Sequence, residues 1–272
     1  MQKSSQKSFT LLELLVVIAI IAILAGVVIA SVVDLRQRTK ESKGMQFSQN
    51  IRTTLSNELV GEWKFDNLTT PYIDTSDEGI NGTPYNNPQQ TDDAKVGKAL
   101  LVNGQRVDMI DVNCKQKLLY SEFTIEAWAR ASTLGTWNGL LTSKRAAADG
   151  FNLQMGTAQN IAMLIGNGTT YTYIKTDWAP SIKTWYHIIA THRSNNLNEL
   201  YVNGNKEKEG SFAIGYASSF TNNTCVCIGC FYLGGASFNG IIDEVRIYKS
   251  ALTAKQIKQL YAEGKIRHLV NK

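Results

Sequence analysis

The carboxylates, histidines and cysteines of this 272-residue chain set the limits on its chemistry. Asp243 and Glu244 are adjacent. On a strand, neighbours point to opposite faces, whereas a retaining glycosidase holds two carboxyl groups about 5 Å apart across one bond. His187 and His192 are five residues apart, again on opposite strand faces, and no G-x-S-x-G or H-E-x-x-H run accompanies them. No catalytic residue is expected, and the protein is not expected to be an enzyme. The four cysteines, Cys114, Cys225, Cys227 and Cys230, make an even count. In an exported chain that favours one or two disulfides. The dense Cys225-x-Cys227-x-x-Cys230 run also suits a metal, although no histidine is close in sequence and the usual paired C-x-x-C arrangement is missing.

One acid stands apart. Glu13 is the single charge in FTLLELLVVIAIIAILAGVVIASVV, Phe9 to Val33. From Leu14 to Val33 only Gly26 and Ser31 interrupt the apolar run, which as a helix reaches about 30 Å, one hydrocarbon core. A carboxylate at the bilayer centre costs about 2.5–3.5 kcal/mol, so Glu13 needs a shallow position or a neutralising partner. An ordinary secretory peptide has an apolar core of about 7–15 residues and an A-x-A-like cleavage site; this run is longer and no such site follows it.

Beyond Val33 the chain is polar but free of proline up to Leu59, and Phe47, Ile51, Leu55 and Leu59 recur every four residues, one stripe of an amphipathic helix. Gly44 is where that helix should weaken or bend. At Leu59 the period changes to two, with Leu59, Trp63 and Phe65 set against Glu62, Lys64 and Asp66. Similar alternation follows at Phe123–Ile125–Ala127–Ala129, Phe151–Leu153–Met155, Trp185–His187–Ile189–Thr191 and Ile241–Asp243–Val245–Ile247. Asn-Gly pairs begin at Asn81, Asn103, Asn138, Asn167, Asn203 and Asn239, a hairpin signal because both residues of a type I′ turn need positive φ. Many short strands with turn signals predict a mainly β, two-sheet antiparallel sandwich. At the end, Thr253 and Gln256 fit a capping box, Ile257, Leu260 and Tyr261 give a helix face, and Gly264 supplies the stop.

The net charge of +5 is spread thinly. Through Leu59, seven basic residues face four acids, leaving +2 for the remaining 213 residues. Phosphate affinity scales with the number of neutralised contacts, so no nucleic-acid partner is expected.

Lys7-Ser8-Phe9-Thr10-Leu11-Leu12-Glu13 and the apolar run after it resemble the class III signal of type IV pilins and pseudopilins. The resemblance implies that a prepilin peptidase cuts between Ser8 and Phe9, that Phe9 is N-methylated, and that Glu13 pairs with the amino terminus of a neighbouring subunit during filament assembly. The family usually has glycine where this chain has Ser8. Lys3 and Lys7 before the helix, against Arg36, Arg38, Lys40 and Lys43 after it, would by charge counting place the large domain inside. The resemblance implies the opposite, and the cysteines agree with it.

LVGEWKFDN at Leu59, AKVGKALLVNGQRVDMIDV at Ala94, FTIEAWAR at Phe123, WYHIIATH at Trp185, ELYVNGN at Glu199 and the run from Phe238 through Gly264 together resemble the laminin-G-like or concanavalin-A-like jelly roll. Glucanases of that wider group carry an E-x-D-x-x-E run, which this chain lacks. Related jelly rolls hold a structural calcium where the first and last strands meet; the matching carboxylates are Asp66 and Asp243, which could equally cap a turn and accept backbone hydrogen bonds. No other cofactor is implied. Trp137, Tyr171, Tyr173 and Trp178, near turns, are candidate sugar platforms, though aromatics there more often serve packing.

The expected organisation is a leader at 1–8, a membrane and filament-core helix at 9–33, an amphipathic continuation at 34–58, a jelly roll at 59–264 and a basic tail at 265–272. The expected function is a pilin-like subunit, minor pilin or pseudopilin, displaying a lectin-like head for adhesion or recognition. The expected partners are prepilin peptidase, other subunits, membrane lipid and a glycan or surface protein. The expected place is the bacterial inner membrane with the carboxy-terminal domain outside, then an extracellular filament. The alternatives are a tethered binding module that never polymerises and a type II secretion pseudopilin.

Overall fold

The computed structural model describes residues 10–67, 72–110, 121–136, 138–143, 150–157, 160–167, 169–213, 224–231 and 238–270. Two compact units divide the chain, residues 1–47 and 48–272. Helix α1 (Leu11–Leu55) fills the described part of the first and ends in the second. It runs unbroken through Gly44, where a weakened turn was expected. Its Leu11–Val33 span is long and apolar enough to cross a membrane, and the side chains described in it are exposed.

In the second unit a single 3-10 turn, Ser56–Glu58, leads into the strands. They are β1 (Leu59–Trp63), β2 (Gly82–Tyr85), β3 (Gln89–Thr91), β4 (Ala99–Asn103), β5 (Arg106–Ile110), β6 (Phe123–Ala131), β7 (Gly139–Thr142), β8 (Phe151–Gly156), β9 (Asn160–Gly166) and β10 (Tyr171–Lys175). After them come β11 (Tyr186–His192), β12 (Leu197–Val202), β13 (Asn205–Ser211), β14 (Thr224–Ile228), β15 (Asn239–Tyr248) and helix α2 (Ala254–Val270). The strands form two antiparallel sheets. One runs β13-β12-β11-β6-β15-β4-β3 with β1 also paired to β15, and the other runs β10-β9-β8-β7-β14-β5-β2. This is the jelly-roll sandwich expected from the sequence. Its core takes Phe123, Ile125, Ala127 and Ala129 from one sheet and Phe151, Leu153 and Met155 from the other, the period-two faces that the alternation predicts.

Two strands depart from that pattern. On β11 the core residues are Tyr186, Ile188 and Ala190, not the His187–Ile189–Thr191 row. Both faces of this strand are buried, so alternation of apolar residues cannot tell them apart. On β15 the core takes Ile242, Val245 and Ile247. A bulge between Asp243 and Arg246, with Glu244 at φ 48°, inserts a residue and switches the side of every position before it.

The Asn-Gly pairs divide as well. Asn203 and Gly204, at φ 52° and 80°, make the tight β12–β13 hairpin, and Asn167 lies in the β9–β10 connection, where its N–H donates to the Thr170 carbonyl. Asn103-Gly104 instead carries the chain from one sheet to the other, and Asn81, Asn138 and Asn239 stand at strand starts.

Helix α2 opens on the predicted capping box, with the Thr253 N–H and hydroxyl donating to Gln256 Oε1 at 2.8 and 2.7 Å. It does not stop at Gly264 but continues to Val270. A Cβ at 264 would lie 2.8 Å from the Trp128 indole, so this glycine serves close approach of helix to sheet rather than termination. Residues 265–270 of the supposed tail are helical and anchored: Arg267 bonds Glu244, and His268 Nδ1 lies 2.6 Å from the Lys95 carbonyl.

Candidate functional site

Thr10 and Glu13 build the amino-terminal site. The Thr10 N–H and hydroxyl donate to Glu13 Oε2 at 2.8 and 2.9 Å, and the Glu13 N–H donates back to Thr10 Oγ1 at 3.3 Å. That is a capping box: the acid of the apolar stretch fastens the start of its own helix. All the acid's bonds here fall on Oε2. Ser8 and Phe9 lie outside the described residues.

Asp66 and Asp243 act on one loop. Asp243 Oδ2 accepts the N–H groups of Lys95 and Val96, each at 2.9 Å, and Oδ1 accepts that of Glu244 at 2.7 Å. Asp66 Oδ1 accepts the Lys98 N–H at 2.9 Å. Gly97 between them has φ +60°, and a Cβ there would lie 2.0 Å from Asp66 Oδ1. Burial, and then the neighbouring Glu244 charge, push the Asp243 carboxyl up from its usual value. Calcium takes six to eight oxygens. Three of these four carboxylate oxygens already accept backbone N–H groups, and no group of three or more His, Cys, Asp or Glu converges among the described residues. As it stands the pair holds a loop, and an ion would have to displace those amides.

The remaining candidates separate. The Asp243 and Glu244 carboxylates serve different partners, since Glu244 Oε2 meets Arg246 and Arg267. His187 packs against Trp128 with the rings tilted by 32°, while His192 packs against Phe123 at 31°, on opposite sides of β11. His192 is held below its usual pKa by burial, against the pull of Asn198 and Glu122. Cys227 and Cys230 form a disulfide. Cys114 lies outside the described residues; Cys225 is on β14. Of the aromatics, Tyr171, Tyr173 and Trp178 are exposed, with Trp178 Nε1 donating to Glu207 at 2.9 Å; Trp137 lies outside the described residues.

The largest assembly of charge among the described residues was not foreseen from the sequence. Arg246 on β15 is buried and reaches Glu62 on β1 at 2.9 Å, Glu126 on β6 at 3.1 Å, Glu263 on α2 at 3.7 Å and its own neighbour Glu244. Arg52, in the last turn of α1, reaches Glu62 at 3.1 Å and Glu263 at 3.2 Å, and the Ser48 hydroxyl donates to Glu263 at 2.8 Å. Tyr248 and His187 complete the shell of Glu126. Burial alone would raise Glu62, but the Arg246, Arg52 and Lys64 charges outweigh it and hold that carboxyl far below the usual range. Glu126 is likewise lowered, with burial opposed by Arg246 and by the His187 hydrogen bond. Beside this network a cavity of about 220 Å³ is walled by Ile51, Leu55, Leu59 and Leu260. The signal that could have revealed the network is the crowding of Glu244, Arg246, Glu263 and Arg267 at the end of the chain, opposite two acids on otherwise apolar strands.

Comparison with known proteins accounts for both units. The prokaryotic N-terminal methylation motif matches residues 3–29. The type IV major fimbrial protein FimA of Dichelobacter nodosus is 33% identical over 91 residues, 34% of this chain and 57% of that protein, so the match spans little more than half of the relative's length. Domain 4 of AbnA, a GH43 extracellular arabinanase from Geobacillus stearothermophilus solved with arabinotriose, aligns at TM-score 0.63 and 23% identity over 75% of this chain and 98% of that one. The receptor binding domain of botulinum neurotoxin D aligns at TM-score 0.56 and 16% identity, over 76% and 53%. These last two show the fold alone. With residues 103–258 matched by its description, the chain belongs to the concanavalin A-like lectin/glucanases superfamily, and it joins that head to a type IV pilin amino-terminal motif.

Proposed function

We propose that this protein is a minor pilin or pseudopilin that is cut between Ser8 and Phe9, methylated on Phe9, and assembled into an extracellular filament bearing the jelly roll as a glycan-recognising head. The observation that carries this reading is the Leu11–Val33 helix, whose described side chains are exposed, beginning at the Thr10–Glu13 box inside the matched motif. An apolar surface of that length calls for lipid before assembly and for the helices of other subunits after it. The head would lie outside the inner membrane, and its non-catalytic role rests on carboxylates committed to loop amides and to arginines. The arabinotriose held by the arabinanase module supports a saccharide ligand for the head.

Glu13→Val is expected to leave the protein in the membrane and to remove it from sheared filaments. Normal filament yield with that variant would end the assembly mechanism, and a wild-type protein absent from sheared filaments would favour the tethered binding module. Intact mass spectrometry is expected to find a chain beginning at methylated Phe9. For Asp66 and Asp243, calcium titration followed by calorimetry decides between ion and loop staple: heat with a raised melting temperature would establish the ion.

A further inference from the structure

The cavity beside the ion network has walls of two kinds. Ile51 and Leu55 of α1 and Leu260 of α2, all buried, give it an aliphatic side. Arg52, Glu62, Arg246 and Glu263 give it an ionic one. Leu59 and Lys64, only half-buried, stand at its mouth. A water needs about 10–15 Å³ of such room, and an aliphatic cavity of about 150 Å³ takes up benzene. At about 220 Å³ this one is large enough for an organic molecule.

Two polar atoms on the ionic wall are left over. Glu62 is saturated: Oε1 accepts from Arg246 Nε at 2.9 Å, while Oε2 accepts the Thr75 hydroxyl at 2.6 Å and faces Lys64 at 3.1 Å. Glu263 Oε1 accepts the Ser48 hydroxyl at 2.8 Å and Arg52 Nε at 3.2 Å. Its Oε2 is buried and accepts no hydrogen bond, facing Arg246 Nη1 only at 3.7 Å. Arg52 Nη2 lies 3.1 Å from Glu62 Oε1 but has no N–H aimed at it, and it too makes no hydrogen bond. One free acceptor and one free donor therefore border a single aliphatic cavity, and leaving such groups unpaired is costly. Charge does not call for an ion. Among the described residues, Arg52, Lys64, Arg246 and Arg267 balance Glu62, Glu126, Glu244 and Glu263.

We propose that this cavity is a binding site for a small neutral amphiphile, a short alkyl chain ending in a hydroxyl. A hydroxyl carries one donor and two acceptor lone pairs, so it donates to Glu263 Oε2 and accepts from Arg52 Nη2 at once, while the chain lies against Ile51, Leu55 and Leu260. A carboxylate has no proton for Glu263, an ammonium has no lone pair for Arg52, and either would unbalance the network. Because Arg52 belongs to α1 and Glu263 to α2, the occupied site ties the end of one helix to the other. The site stands apart from the glycan reading of the head and does not depend on it.

The test uses the full chain in phosphatidylcholine nanodiscs, titrated with a trifluoromethyl-terminated hexanol and followed by fluorine NMR. A saturable bound signal is expected. The matching alkane, alkanoate and alkylammonium are each expected to bind more weakly by about tenfold, the loss of roughly one hydrogen bond. Leu59→Trp, which fills the mouth, is expected to abolish the saturable signal, and the ligand series decides even where that variant does not fold. An alkane bound as tightly as the alcohol would remove the polar floor and overturn the assignment, as would a charged head bound more tightly. A signal that never saturates, and is equal in wild type and Leu59→Trp, would mean partition into lipid and no site.

Discussion

Arg246 is the residue on which the head's electrostatics turn. Its guanidinium meets four carboxylates and is nearly solvent-free; burial would lower its pKa, but the Glu126, Glu244 and Glu263 charges drive it well above the ordinary arginine value. Buried pairs are costly to break because the survivor is left uncompensated, by about 3–5 kcal/mol when one partner is removed. Arg246→Met is therefore expected to cost at least that much, read as a drop in the urea midpoint with an unchanged slope. The sequence did not reveal this role. Glu62, Glu126 and Arg246 alternate with apolar residues in their strands and so resemble a solvent-facing row; the crowding of Glu244, Arg246, Glu263 and Arg267 is the local hint, but which of them meet Glu62, Glu126 and the end of α1 is decided by packing.

At the scale of elements, α1 and α2 give different lessons. For α1, capping and charge coincide in Glu13, and glutamine separates them, since it can still fill a capping box but cannot neutralise an amino terminus. Glu13→Gln is expected to preserve amide protection in the first turn, measured by hydrogen exchange, and still to block filament incorporation. Equal loss of protection in Glu13→Gln and Glu13→Ala would mean that the box depends on the charge. For α2, Gly264→Ala should gain about 1 kcal/mol of helix propensity, yet the new methyl would meet the Trp128 indole. The variant is expected to be destabilised on balance, with a lowered melting temperature; a rise would show that the indole yields. The capping box at Thr253 was legible because it is local. The far end of α2 was not, because Gly264 as a stop and Gly264 as a contact surface look alike in sequence.

For the molecule as a whole, the ion network joins the end of α1, three strands and α2 into one acid-sensitive unit. Glu62 and Glu126 are both depressed in the folded state, so their contribution is fully present above the usual carboxylate value of 4.5 and is lost as pH falls through the lower folded values. Asp243 is raised and has the opposite sign: its folded form prefers the proton, so it weakens the fold as pH rises rather than as it falls. Between neutrality and the carboxylate range Asp243 gains stability as pH falls while His192 loses it, and the loss carried by Glu62 and Glu126 is expected as a fall in melting temperature below the usual carboxylate value of 4.5. In Arg246→Met the acid limb should shrink, because the carboxylates lose the charge that depresses them. An undiminished limb in that variant would assign the acid sensitivity to other groups.

The membrane-length helix, its lone acid, the β-rich head and the capping box at Thr253 were determined by the sequence by itself, since each follows from composition or period within a short window: a long apolar run, a period of two, a Thr followed three residues later by Gln. Only tertiary structure decided which face of β11 is the core, where β15 changes sides, that Asp66 and Asp243 grip one loop, and that scattered acids and arginines form one buried network. Those outcomes depend on what covers each face, and covering elements such as α2 lie tens to hundreds of residues away, at distances over which side-chain periodicity carries no information.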